Sequence, residues 1–358
     1  MVGAPTPESR RVTFSRQFVG FLVVAFAVTA IARPYPHIAM WVGFLFAAYS
    51  AIANDSIQTL GTFIASNRGR PWWQLWLFSG VVFSATIIYS WTHYGGDVSY
   101  ERLASKGFEE APTEFHFLQL AAPLVLIILT RLRMPVSTTF LLLSAFAASG
   151  KSVGAVTLKS LTGYGIAFVC AIALWGILGP AMHRRFRGTA HPGWRVMQWF
   201  TTGALWSVWL QQDAANIAVF LPRSLSLGEL LVFVTVIFVG LGALFHQGGE
   251  RIQEVVDEKS HIVDVRAATI VDFLYACILW LFKLQSKVPM STTWVFVGLL
   301  AGREIGMSLR NVGEGGRSLQ DALRLAGKDL AYVTIGFGIS LVVAATANPA
   351  VRKGLLGG

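Results

Sequence analysis

Two short polar clusters lie inside otherwise apolar stretches and carry residue types that can hold ions. Asn54-Asp55-Ser56-Ile57-Gln58 and Gln212-Asp213-Ala214-Ala215-Asn216 each set an amide beside a carboxylate, with a second amide three residues after it. That spacing is about one helical turn, so the groups share a face. Carboxylate and amide oxygens are cation ligands, and amide nitrogens donate hydrogen bonds. A second pair of segments offers hydroxyls: Met134-Pro135-Val136-Ser137-Thr138-Thr139 and Val288-Pro289-Met290-Ser291-Thr292-Thr293. Proline favours a helix start there, and the unpaired N–H groups and macrodipole of such a start favour an anion. Neither segment contains lysine or arginine beside its hydroxyls. An anion between two such starts would be held by dipoles and hydroxyls, with cations on Asp55 and Asp213 compensating its charge.

The two motifs return with nearly one period, 158 residues for the aspartates and 154 for the prolines. A fixed period is the mark of an internal repeat. The elements that carry the repeats are set by composition: 358 residues, 54% hydrophobic and 13% charged, with a mean hydropathy of +0.56. An average soluble domain is roughly 25% charged, so an ordinary soluble enzyme is excluded. About 20 apolar residues are needed to cross a hydrocarbon core. Full-length candidates are 14–32, 72–94, 115–132, 158–182, 227–246, 267–284 and 330–347. Four stretches are irregular: 37–67 and 194–221 carry the aspartate clusters, while 135–150 and 289–302 are short and begin at proline.

The net charge of +10 sits mainly at span ends, as in Arg10, Arg11, Arg16, Arg68, Arg70, Arg131, Arg133 and the loop 183–195. This orients the spans and does not point to nucleic acid. With the N-terminal arginines inside, the acidic loop 93–114, Lys283 and Lys287 fall outside. A full crossing by 135–150 is preferred, because it returns the basic loop 183–195 to the inside. The apolar run after the N-terminal arginines lacks a small-residue cleavage site and reads as a retained span. Five crossings then separate the copies, and an odd number inverts the second. The expected fold is an all-α polytopic membrane protein with two inverted repeats of about five helical elements, 37–193 and 194–358, after an N-terminal segment and extra span, 1–36. Inverted repeats with interrupted helices at the midplane are common in secondary transporters. Aspartate in mid-membrane costs at least about 2.5 kcal/mol and usually lines a pathway or paired site.

Other features add little chemistry. Cys170 and Cys277 lie in apolar runs and suggest no disulfide framework. The seven histidines form no ligand spacing, so no metal site is expected beyond Na⁺. The tryptophans gather at span ends, as interfacial anchors do. The glycine-rich stretch 311–316 lacks the lysine of a P-loop, and 303–328 reads as a polar linker. No nucleophile, base and orienting group can be assembled, so no enzyme and no cofactor are expected.

Ala53-Asn54-Asp55-Ser56-Ile57-Gln58-Thr59-Leu60-Gly61-Thr62 resembles the G-A-N-D-V-A-N-A-F-G-T signature of the inorganic phosphate transporter (PiT) family. Gln212-Asp213-Ala214-Ala215-Asn216 resembles its second copy, and the two Pro-x-Ser-Thr-Thr elements resemble the family's P-[IV]-S-T-T-H segments, followed in the second by Gly298 and Gly302. The resemblance implies symport of inorganic phosphate with Na⁺ or H⁺ across the cell (plasma or inner) membrane, by a homodimer. It implies Asn54, Gln58, Ser137, Thr138, Thr139, Gln212, Asn216, Ser291, Thr292 and Thr293 as substrate ligands. Asp55 and Asp213 are implied as cation ligands, as is Asp272, which sits near where the family places a glutamate. The departures are Gln58 and Gln212 in place of asparagine, Phe140 and Trp294 in place of histidine, and Val219 in place of glycine. These leave sulfate or another oxyanion as a competing substrate, and a non-transporting anion receptor as a competing function.

Overall fold

The computed structural model describes residues 15–67, 69–105, 107–132, 134, 136–186, 188–246, 264–310 and 318–356. Among them are thirteen α-helices and no strand: α1 Arg16–Ala32, α2 Pro36–Asn54, α3 Ser56–Ser66, α4 Trp72–His93, α5 Phe117–Arg131, α6 Thr138–Leu141, α7 Gly150–Arg185, α8 Gly193–Ala218, α9 Leu227–His246, α10 Val265–Gln285, α11 Thr292–Leu309, α12 Leu319–Ala347 and α13 Pro349–Leu356. A 3₁₀ turn, Leu143–Phe146, follows α6. Six of the helices are long and apolar enough to cross a membrane. The protein is a multi-pass membrane protein.

The bundle has two ends, each tied by contacts between distant loops. At one, Leu225 N–H donates to Gly96 O at 2.9 Å and Ala148 N–H to Gly107 O at 2.8 Å. Asn348 donates to Ala147 O there at 2.8 Å, and Lys287 pairs with Glu101 at 2.7 Å. At the opposite end Asn67 donates to Gln198 at 3.0 Å, Phe186 meets Trp194 and Arg266 donates to Phe186 O at 2.6 Å. The helices that join these ends therefore run in opposite directions in pairs: α3 against α8, α4 against α9, and α7 against α12.

The two aspartate clusters are built differently. The chain from Pro36 to Ser66 breaks at Asp55, which ends α2 and starts α3 at φ −89° and ψ −28°. The stretch expected to be irregular around Asp213 is instead one 26-residue helix, α8.

The segment 135–150 does not cross. Four residues of α-helix rise ~6 Å and four of 3₁₀ ~8 Å, about half of a ~30 Å core. It returns beside α5, since Gln119 donates to Ala145 O at 2.9 Å and Phe115 packs on Phe146. The result is a re-entrant hairpin with Leu132, Met134, Val136 and Ser137 at its tip; Arg133 and Pro135 lie outside the described residues. The basic loop still lies at the end that holds Asn67, because α5 with α6 makes no net crossing and α7 makes one.

The second hairpin joins α10 to α11. Its return arm is a full 18-residue helix, longer than the apolar run 289–302 because it continues through Arg303 and Glu304. Arg303 is buried over Trp175 at 6.0 Å and bonds Glu304 at 2.7 Å. The linker read at 303–328 thus contains the end of α11 and the start of α12; 311–317 lies outside the described residues. A glycine stripe holds α11 against α7. A Cβ on Gly298, Gly302 or Gly306 would strike the carbonyl of Tyr164, Phe168 or Ile172 in turn. Only glycine lets the two backbones approach so closely.

Candidate functional site

The break at Asp55, the C-terminal part of α8 that carries Asp213 and the two hairpin tips converge in the interior. Asp55 and Asp213 are 2% and 3% exposed. Each accepts from the first threonine of one tip: Thr138 donates to Asp55 at 2.5 Å and Thr292 to Asp213 at 2.5 Å. The second threonines cross over. Thr139, on the first tip, lies 3.4 Å from the Asp213 carboxylate and accepts from Asn216 at 3.2 Å. Thr293, on the second tip, accepts from Gln58 at 3.1 Å. Gln58 and Asn216 occupy the same place in the two clusters, 158 residues apart. The tips also touch directly, with Thr139 3.2 Å from Met290 O.

The amides complete the lining. Asn54 donates to Asp55 at 2.6 Å and accepts from Thr130 at 3.0 Å. Asn216 donates to Asp213 at 2.5 Å. Gln212 instead turns its nitrogen to Leu279 O, 3.2 Å away. The amide oxygens of Gln58, Gln212 and Asn216 are buried and receive no hydrogen bond. Among the described residues no ion pair involves Asp55 or Asp213. Two buried carboxylates among neutral donors, with amide oxygens unbonded beside them, form an acceptor-rich centre. Buried charge of this kind is stable only when paired or neutralised.

Ser137 and Ser291 have a further job. Each is an N-cap, accepting the N–H of Phe140 at 3.3 Å and of Trp294 at 3.2 Å, which uses one lone pair and leaves the O–H free to donate to an anion. Behind the tips, Phe337 meets Phe140 and Trp294 edge to face and these two rings pack tilted on each other, with ring centroids 4.7–5.4 Å apart. Apolar rings thus fill the positions after each Ser-Thr-Thr.

Asp272 is 1% exposed and lies in a separate cluster, accepting from Thr62 at 2.9 Å and Thr202 at 2.6 Å. It shares no partner with Asp55 or Asp213. Thr62 and Thr202 were not legible as ligands in sequence, and neither were Trp209 and Tyr275. Trp209 donates to the Thr292 hydroxyl at 3.2 Å, and Tyr275 donates to the Thr292 carbonyl at 2.9 Å.

Sequence reasoning also missed the cations near the second tip. Arg102, 2% exposed, donates to Gln211 O at 3.2 Å and Ser286 O at 2.5 Å. Lys159, on α7, donates to Ser286 O at 3.0 Å and Val288 O at 2.6 Å. Burial lowers the Arg102 guanidinium to about 10, against the opposing pull of Asp213, so it stays charged at neutral pH. A lysine inside an apolar span is itself a signal. Arg102, in a polar loop, gives none.

A helix broken at Asp55 and two helical hairpins whose tips meet at a buried polar centre define an all-α polytopic membrane protein. A solved structure described as "The sodium-dependent phosphate transporter" shares the fold, with a TM-score of 0.57 at 17% identity over 88% of this chain and 97% of that one. No sequence family and no curated protein matches the chain.

Proposed function

We propose that this protein is a divergent member of the inorganic phosphate transporter family, a symporter that couples entry of inorganic phosphate to Na⁺ or H⁺ by alternating access. One observation carries the reading: Asp55 and Asp213, buried and in no ion pair among the described residues, are bridged by Thr138 and Thr139 of the first Ser-Thr-Thr tip, and Asp213 also holds Thr292 of the second. A cation or proton on these carboxylates removes the cost of charge in a low-dielectric interior. It also removes the negative charge that would repel an incoming oxyanion. Asn54, Gln58, Gln212 and Asn216 present oxygens to the cation. Turned about the last side-chain bond, the same amides present N–H groups to the anion. Ser137, Thr138, Thr139, Ser291, Thr292 and Thr293 supply hydroxyls at the two helix starts. Asp272, with Thr62 and Thr202, is a further cation site.

The opposed directions of α3 and α8, α4 and α9, and α7 and α12 support a division into inverted repeats, 37–193 and 194–358, with 1–36 as an added segment. The fold shared with a transporter titled as sodium-dependent supports Na⁺ as the cation. The site of action in this reading is the cell membrane, and the assembly a homodimer. Uptake of labelled phosphate and sulfate into proteoliposomes, with and without Na⁺ and pH gradients, tests the proposal. Gradient-driven phosphate accumulation is expected, whereas sulfate uptake alone would change the substrate. Saturable binding without flux of either anion would replace transport with a receptor role.

A further inference from the structure

The loop before Arg102 is held in a conformation that side chains rarely adopt. Tyr100 and Glu101 have φ of 54° and 59°, a left-handed pair with no glycine to ease it. Several bonds fix it. The Asp97 carboxylate accepts from Ser99 N–H at 2.8 Å and Glu101 N–H at 2.5 Å. Ser90 accepts from Tyr100 N–H at 3.1 Å, the Tyr100 hydroxyl donates to Thr86 O at 2.7 Å, and Glu101 pairs with Lys287. Strain held this firmly marks functional positions more often than ordinary loops. Its effect is to turn Arg102 inward, onto the carbonyl two residues before Asp213.

Arg102 and Lys159 converge on one acceptor, the Ser286 carbonyl at the tip of the α10–α11 hairpin. Lys283 stands nearby, its ammonium 5.2 Å from the Tyr100 ring centre. Among the described residues none of these three cations is in an ion pair. Neutral carbonyls are weak partners for such groups, and a charged oxyanion accepts roughly twice as strongly.

We propose that Arg102, Lys159 and Lys283 form a receiving site for a tetrahedral oxyanion at this end of the bundle. The arriving anion takes the place of the Ser286 carbonyl on Arg102 and Lys159. It thereby frees the second hairpin tip, whose threonines lie on the aspartate pair. The site is outside both Ser-Thr-Thr motifs and rests on the oxyanion-transport reading above.

The test is labelled-phosphate uptake by proteoliposomes of the full chain, for wild type, Arg102→Gln, Lys159→Gln and Arg102→Lys. Arg102→Gln and Lys159→Gln are each expected to raise KM for phosphate about tenfold, the scale of one charge-assisted contact. The half-saturating cation concentration should stay within about twofold, and Arg102→Lys should recover much of the lost affinity. If Arg102→Gln does not fold, Lys159→Gln and Lys283→Gln decide the matter. An unchanged KM in folded variants, even with a lowered thermal midpoint, would give these residues a structural role and overturn the receiving site alone. Wild-type protein that takes up neither phosphate nor sulfate would overturn the transport reading, and this site with it.

Discussion

The first and second halves of the buried centre carry the same motifs on different frames. In the first, the helix breaks at Asp55 and the returning arm of the hairpin is a four-residue helix followed by a 3₁₀ turn. In the second, α8 runs unbroken past Asp213 and the returning arm is an 18-residue helix fastened to α7 along its glycines. Charge is also uneven. Asp272, Arg102 and Lys159 all lie against the second hairpin or its elements. At the 158-residue offset, Thr62 and Thr202 correspond to Phe220 and Phe44, both buried apolar residues. Chemically alike motifs therefore need not be mechanically alike: the first half has a joint at its ligand, and the second has a rigid rod.

The largest effect is expected at the carboxylates. Asp213 is touched by threonines of both tips, so Asp213→Asn should lower gradient-driven phosphate uptake by about 100-fold, near 2.7 kcal/mol. Asp55→Asn, which lacks the second tip's threonines, should lose about tenfold in the same assay. Equal losses would break the comparison. Next comes the rod. Gly302→Leu forces a side chain into the Phe168 carbonyl and should cost about 2 kcal/mol, read as a fall in thermal midpoint. Ala148→Leu, at the exposed position 154 residues earlier, should cost less than about 0.5 kcal/mol.

A smaller and more selective change is expected at the one-sided cluster. Asp272→Asn should shift half-saturating Na⁺ by about tenfold while KM for phosphate holds, measured by uptake at varied Na⁺. A parallel change in both would join Asp272 to the anion site. The smallest effects belong to the caps. Ser291→Ala should cost about 1 kcal/mol and Ser137→Ala about 0.5 kcal/mol, since the second serine caps a long helix and the first a single turn. Thermal unfolding of the two variants sharpens the contrast between the halves.

Much of this was readable along the chain. Asp55 and Asp213 stood out because a carboxylate inside an apolar run is costly wherever it packs. The Ser-Thr-Thr elements stood out because proline marks a helix start without tertiary help. The crossing of 135–150 was misread because hydropathy reports whether a stretch is apolar and not whether it turns back. The helix broke at Asp55 and ran on through Asp213, although both clusters offer an amide and a carboxylate side by side. The surroundings decided: Asn54 is drawn to Thr130 on α5, while Gln212 is drawn to Leu279 on α10.

By itself the sequence determined the membrane setting, the recurring motifs and the residue types at the centre. These follow from composition and short spacing, which act within a few turns of helix. Only the tertiary structure decided that Gln58 reaches Thr293, 235 residues away, and that Thr139 serves Asp213, 74 residues away. It also decided that Asp272 stands apart and that Arg102 turns inward. Such pairings depend on how helices pack and where the backbone is strained, and no local pattern of hydropathy carries that information.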